Sequence, residues 1–132
     1  RKPLKRKPIQ EVVLTKNYSS YRGNARNKNR SFSLTFEDFQ KIVLSSCHYC
    51  GEVDLRSIPS REETTYCNGV DRLDSDIGYV LSNCVSCCKD CNYLKVDRGY
   101  KSFLDKVNKI AKHRGILLEE TKLKKPLKVV NY

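Results

Sequence analysis

At 132 residues, with no Trp, no Met and 39% hydrophobic residues, the chain has the length of one domain but little apolar material for a large core. No stretch is long or apolar enough to cross a membrane, so a membrane partner is not expected. A net charge of +11 argues against basic partners of its own sign and for a polyanion.

Residues 1–8 (RKPLKRKP) are basic, broken by Pro and expected to be disordered without a partner, at the start of a basic N-terminal arm over residues 1–16. The absence of an initiating Met fits a chain trimmed or cut from something longer. Residues 17–29 suggest a helix with Tyr18, Tyr21 and Ala25 on one face and Arg22, Arg26 and Arg30 four apart on another, weakened by Gly23 and four Asn. The arginines are either a stripe suited to phosphates or a solvated face. Thr35 and Asp38 form a capping box, and Phe36, Phe39, Ile42 and Val43 then recur at helical spacing to about Leu44, marking a core helix. Residues 47–51 (CHYCG) read as a zinc-knuckle turn, with Gly51 giving the backbone freedom it needs.

Residues 52–66 look polar and irregular. Residues 67–73 read as a short strand, 74–78 as a turn and 79–86 as the returning segment of a hairpin. A helix is expected from about 88 to 96 and another from 100 to 114, where Phe103, Leu104, Val107, Ile110 and Ala111 share an apolar face expected to pack on the core and Gly115 ends the helix. A domain over 17–114 is thus followed by a basic C-terminal tail, 115–132, with short apolar runs at 116–118 and 129–130.

Charge is distributed unevenly along this plan. Residues 1–30 hold ten Lys/Arg against one acid (+9), residues 31–91 five against ten (−5), and residues 92–132 eleven against four (+7). Basic ends around an acidic middle suit a polyanion gripped from both sides, with central carboxylates able to hold a divalent cation. Solvated tails are the plainer alternative, and the better one for any single Lys.

So small a core calls for a further staple, and the seven cysteines offer one. Their odd number, the lack of a hydrophobic signal region and their spacing favour metal over disulfides and a reducing, intracellular setting. Two C-x-x-C pairs, Cys47/Cys50 and Cys88/Cys91, are separated by 37 residues and meet the needs of a tetrahedral all-thiolate zinc site. Cys84/Cys87 is a competing second pair. Cys88/Cys91 is preferred because its members would sit three apart on a first helical turn and leave Asn92 and Lys95 fixed beside them, so that Cys67, Cys84 and Cys87 are ordinary buried thiols. Asp74, Asp76 and Gly78 hint at a calcium loop, but the twelfth position from Asp74 is Val85, where a Glu is required.

Taken together, Cys47 and Cys50, then Gly69, Val70, Asp71, Arg72, Leu73, Asp74 and Ser75, then Gly78 and Tyr79, then Asn83, and finally Cys88, Cys91, Asn92 and Lys95 follow one extended pattern. It resembles the zinc-ribbon branch of the HNH, or ββα-metal, endonucleases, and is similar to freestanding phage-type members and to a rare-cutting restriction enzyme of that class. The resemblance implies an α+β fold, a small ββα-metal core stapled by a four-cysteine zinc site with flanking helices and basic terminal arms. It also implies that Asp71 and Asn92 each offer an oxygen to one Mg²⁺ or other divalent cation, which would stabilise the leaving 3′-oxygen. Asn83 would brace the loop through backbone hydrogen bonds, and Lys95 would contact the phosphate.

Arg72 stands where most members of that family carry a His that takes a proton from the attacking water. With a pKa above about 12, Arg is a poor proton acceptor and better suited to clamping the scissile phosphate. Activation of the nucleophile then falls to hydroxide on the metal, to Tyr49 or to His48, although both side chains fit equally well as packing for the knuckle. Adjacent residues of a regular strand face opposite ways, so Asp71 and Arg72 converge only at a frayed or bent strand end. The expected activity is metal-dependent hydrolysis of phosphodiesters in double-stranded DNA, by a monomer, a homodimer or part of a larger assembly. The rivals are a noncatalytic zinc module that binds nucleic acid and an accessory subunit whose basic tails dock a protein or RNA partner.

Overall fold

The structure, a computed structural model, describes residues 5–116. The tail segments at 117–118 and 129–130 and the first four residues of the arm lie outside the described residues. In chain order the elements are α1 (Ile9–Asn27), α2 (Phe36–Val43), β1 (Leu55–Ile58), β2 (Glu63–Tyr66), β3 (Gly69–Arg72), β4 (Cys84–Cys87), α3 (Lys89–Lys95) and α4 (Tyr100–Arg114), with 3₁₀ turns at Pro59–Arg61 and Leu81–Asn83. The strands form two separate antiparallel pairs, β1–β2 and β3–β4, giving an α+β architecture.

Helix α1 starts eight residues before the sequence pattern suggests. Pro8 precedes its first turn, where Pro is tolerated, and Val13 and Leu14 are buried. Half of the expected arm is therefore core-forming helix. The capping box of α2 is present in both directions: the Asp38 N–H donates to Thr35 Oγ1 at 3.0 Å and the Thr35 N–H donates to Asp38 Oδ2 at 3.1 Å. Residues 52–66 are not irregular; their Thr and Ile positions pair as a hairpin, Leu55 opposite Tyr66 and Ile58 opposite Glu63, whose outer face is polar enough to hide the alternation.

The main core joins Val13 and Leu14 of α1, Leu34, Phe39 and Val43 around α2, Cys67 between β2 and β3, and Val70 and Cys84 of the second strand pair. Aromatic rings close it: Tyr18 lies 5.4–5.6 Å from Phe32, Phe36 and Phe39, and Tyr21 lies 5.6 Å from Phe39 and 5.8 Å from Tyr79. The segment after α1 crosses the tip of the β3–β4 hairpin, with the Tyr79 N–H donating to Ser31 O at 2.7 Å and the Ser33 N–H to Tyr79 O at 3.0 Å. Only a glycine permits this crossing, because a Cβ on Gly78 would meet the Ser31 carbonyl oxygen at 2.5 Å.

Helix α4 departs from its expected packing. Phe103 is buried and Leu104 half-buried, but Val107 and Ile110 are 45% and 53% exposed. Among the described residues the helix is anchored by its first turn, with the Phe103 ring 5.3 Å from that of Tyr49 and the Tyr100 N–H donating to Leu73 O at 3.0 Å. Gly115 ends it in the left-handed region, as expected.

One buried polar residue carries the junction between α2, the knuckle and the hairpins. Asn68 accepts from the Asp54 N–H at 2.9 Å, donates from its amide to Ser45 O, Glu52 O and Ser86 Oγ at 2.9–3.1 Å, and its own N–H donates to Val43 O. Asn68→Ala leaves those groups buried without partners and should lower unfolding stability by about 1–3 kcal/mol in urea denaturation.

Candidate metal centre and adjoining polar cleft

The sulfurs of Cys47, Cys50, Cys88 and Cys91 all lie within 4.8 Å of one another. The knuckle 47–51 is a turn closed by the Gly51 N–H donating to Cys47 O at 2.9 Å, with Gly51 at φ +83°. It presents two sulfurs to the start of α3, where Cys88 is the N-cap residue and Cys91 lies one turn on; the Cys91 N–H donates to Cys88 Sγ at 3.4 Å. A tetrahedron with Zn–S bonds of about 2.3 Å has edges of about 3.8 Å, and the Cys50 and Cys88 sulfurs are 3.6 Å apart, so this donor set fits zinc. Burial raises the Cys47 thiol pKa, but backbone N–H groups of Cys88, Cys50 and Tyr49 together outweigh it and bring the value down to about 7. Cys91 is pushed up by burial and then by the Cys88 and Cys50 thiols. Four thiolates so close together need a cation among them, which a divalent metal supplies. The competing pair, Cys84 and Cys87, lies on β4 outside the four-sulfur group, and burial pushes Cys84 up to about 12.

Beside this centre β3, β4 and α3 form a ββα unit. A cleft of about 240 Å³ is lined by Arg30, Asp71, Arg72, Asn92, Lys95 and Asp97, with Tyr21 and Tyr79 among its walls. Asp71 and Arg72 face the same cleft despite being neighbours, because Arg72 is the last residue of β3 and the chain bends there into the turn. Asp71 is buried; its Oδ2 accepts from the Tyr49 hydroxyl at 2.6 Å, and the Lys95 ammonium lies 3.2 Å from each of its oxygens. Asn92, the residue after Cys91, is exposed and lines the same cleft. One carboxylate and one amide are an oxygen-bearing donor set of the kind a hard divalent cation takes.

Arg72 is held by the turn that follows it. Its Nη1 donates to Ser75 O at 2.7 Å and to Ile77 O at 3.1 Å, and its guanidinium lies 5.3 Å from the Tyr79 ring centroid. Asn83 in turn holds the shape of that loop: its Oδ1 accepts from the Asp74 N–H at 2.9 Å, and its amide is shared among Asp74 O, Ile77 O and Gly78 O at 3.0–3.2 Å.

Two expected site residues, Lys95 and His48, are placed differently, and a third, Tyr49, keeps its expected place. Lys95 is 1% exposed and committed to Asp71 and to Arg72 O, so it is no free phosphate contact; breaking such a buried pair costs about 3–5 kcal/mol. His48 lines another cavity, of about 870 Å³, with Ile42, Ser45, Leu81 and Val85; its ring packs 5.3 Å from that of Tyr49, and burial lowers its pKa. That cavity is the larger of the two, but the convergent ionisable groups are in the smaller one. Tyr49 does reach Asp71, yet burial and then the bond to that carboxylate push its phenol well above the usual range, the reverse of what a proton acceptor needs.

The arginine stripe is also divided. Arg22 and Arg26 are exposed on α1, Arg22 lying 5.7 Å from the Tyr18 ring centroid. Arg30 is beyond the end of the helix, after Asn29 at φ +53°, and that turn sends it into the cleft. Sequence reasoning placed Arg30 on the wrong line because it extended the helical spacing past Asn27; the N-K-N run at 27–29, rich in residues that tolerate the left-handed region, is the signal that stops it. Tyr21, which the helical spacing places only on one face with Tyr18 and Ala25, reaches the cleft wall: its hydroxyl accepts from the Val70 N–H at 3.0 Å and lies 2.6 Å from where a Cβ on Gly69 would be.

Replacement of Cys50, Cys88 or Cys91 by Ser should abolish tightly held zinc and cooperative unfolding, whereas Cys84→Ser and Cys87→Ser should retain near-equimolar zinc, both read by elemental analysis after dialysis.

No family model matches the chain. Its fold is similar to that of PacI, a rare-cutting HNH restriction endonuclease, with a TM-score of 0.53 and 28% identity over 79% of this chain and 82% of that one. It is also 36% identical over 80 residues to an uncharacterized protein of Acanthamoeba polyphaga mimivirus; the match takes in 61% of this chain but spans only 14% of the viral protein's length. The fold is therefore HNH-like, with four cysteines gathered as a possible zinc site beside its ββα unit.

Proposed function

We propose that the chain is a metal-dependent endonuclease that hydrolyses phosphodiester bonds in DNA. The observation that carries this reading is the buried Asp71 at the end of β3, facing a polar cleft that it shares with Asn92, Arg30 and Arg72. The likeness to an HNH restriction endonuclease, described for its perturbation of DNA, supports DNA as substrate.

In this reading Asp71 and Asn92 hold Mg²⁺ or another divalent cation, which when bound supplies positive charge to the leaving oxygen. With the Arg72 Nη1 fixed by two turn carbonyls, its remaining donors form the planar fork that takes a phosphate. Arg30 offers a second guanidinium to the same group. Tyr49 positions the Asp71 carboxylate and remains protonated. Asn83 keeps the turn, and through it Arg72, in place. Arg22 and Arg26, with the basic arm and tail, supply sequence-independent phosphate contacts along a duplex.

A second reading, noncatalytic binding of nucleic acid, is favoured by one observation, the neutralisation of Asp71 by Lys95. Supercoiled plasmid incubated with the zinc-loaded protein and Mg²⁺ separates the two. Nicked or linear product is expected, absent with EDTA and with Asp71→Ala, while Arg72→Ala should lower kcat by about 10²–10³-fold without loss of fold. Retarded but uncut plasmid under all conditions would favour the second reading, and linear product without a nicked precursor would indicate paired active sites in a homodimer.

A further inference from the structure

We infer that Lys95 is a built-in competitor for the catalytic cation, occupying the Asp71 carboxylate in the free protein so that the cation binds weakly until a phosphodiester enters the cleft. This deepens the endonuclease reading and rests on Asp71 being a cation ligand.

The ammonium has three protons and faces three oxygens: Asp71 Oδ1 and Oδ2, each at 3.2 Å, and Arg72 O at 3.1 Å. Lys95 is 1% exposed and Asp71 6%, so water contributes little to either charge. With the Tyr49 hydroxyl on Oδ2 as well, both carboxylate oxygens are engaged. A divalent cation joining that carboxylate would sit close to the ammonium in surroundings of low polarisability, where like charges repel far more than in water. Either cation is accommodated alone; both together require added negative charge.

A phosphodiester supplies that charge, and the cleft already holds the means to receive it in Arg30 and Arg72. Cation and substrate are thereby coupled. By linkage, DNA tightens the cation by the same factor as the cation tightens DNA, typically about 5–150-fold. The free protein then carries an uncharged cleft centre, Asp71 and Lys95 cancelling each other, and loads its cation chiefly with substrate in place. A purely structural clamp between α3 and β3 would use the same bonds but would not make cation affinity rise when the ammonium is removed.

The test is Mn²⁺ binding to the zinc-loaded full chain without nucleic acid, followed by the electron paramagnetic resonance signal of the free ion. Wild type, Lys95→Met, Lys95→Gln and Asp71→Asn are compared, the glutamine retaining a donor toward Asp71 without the charge. The Lys95 variants should bind Mn²⁺ at least about tenfold more tightly than wild type, and the gain should vanish in Asp71→Asn/Lys95→Met. Asp71-dependent binding that is no tighter in the Lys95 variants than in wild type overturns the inference and leaves the endonuclease reading standing. Binding in every protein equal to that of Asp71→Asn removes Asp71 as a ligand and overturns both. If neither Lys95 variant folds, the wild type decides: a short DNA duplex should tighten Asp71-dependent Mn²⁺ binding by about tenfold or more, and an unchanged affinity overturns the inference.

Discussion

Four cysteine sulfurs gathered within 4.8 Å set the position of nearly everything that surrounds the cleft. Between the first two lies Tyr49, whose hydroxyl reaches Asp71; next to the last lies Asn92, and one turn further on Lys95 reaches the same carboxylate from the other element. Knuckle and helix therefore act on Asp71 from both sides, and their separation is governed by the cluster. With zinc at its centre, the free energy of ligation becomes free energy of positioning, which a chain with so few apolar residues could not obtain from burial alone.

Elsewhere the shortage of apolar residues is met by buried amides. Asn68 joins α2, the knuckle and both hairpins, and Asn83 fills the inside of the turn between β3 and β4. Asn68 spends its donors and its acceptor on groups of different segments and Asn83 on four backbone groups of one turn, so the geometry tolerates little sliding. Hydrophobic contacts are permissive about register; an amide with four partners is not. The turn that presents Arg72 is of this second kind, which explains how a long, mobile side chain comes to have a definite direction.

Electrostatically the cleft is self-balanced. A carboxylate buried to 6% exposure is maintained by an ammonium buried to 1%, a combination that is expensive to desolvate but far more expensive to break. The surplus positive charge in the lining belongs to Arg30 and Arg72, with Asp97 also in the lining, so an anion entering the cleft meets two guanidinium groups.

Much of the architecture was legible in the chain. The capping box at Thr35, the core face of α2, the knuckle, the second hairpin, the extent of α3 and the Gly115 stop are local signals, carried by residues within one or two turns of each other. The start of α1 was missed because a basic segment behind two prolines looks solvated unless one knows that Val13 and Leu14 meet Phe39. The β1–β2 hairpin was missed because its strands are short and polar, and α4 was over-packed because periodicity reports a possible apolar face, not whether another element covers it.

The sequence by itself offered two C-x-x-C pairings for a metal, with Cys88/Cys91 the preferred second pair because a first helical turn sets its sulfurs three residues apart, and its resemblance to the HNH pattern named Asp71, Arg72 and Asn92 together. Only the tertiary structure decided that Lys95 is buried on Asp71, that Arg30 leaves its helical line for the cleft, and that His48 turns toward the other cavity. Those outcomes depend on which segments approach one another across 24 residues or more, and on burial, neither of which is encoded in the spacing of neighbours along the chain.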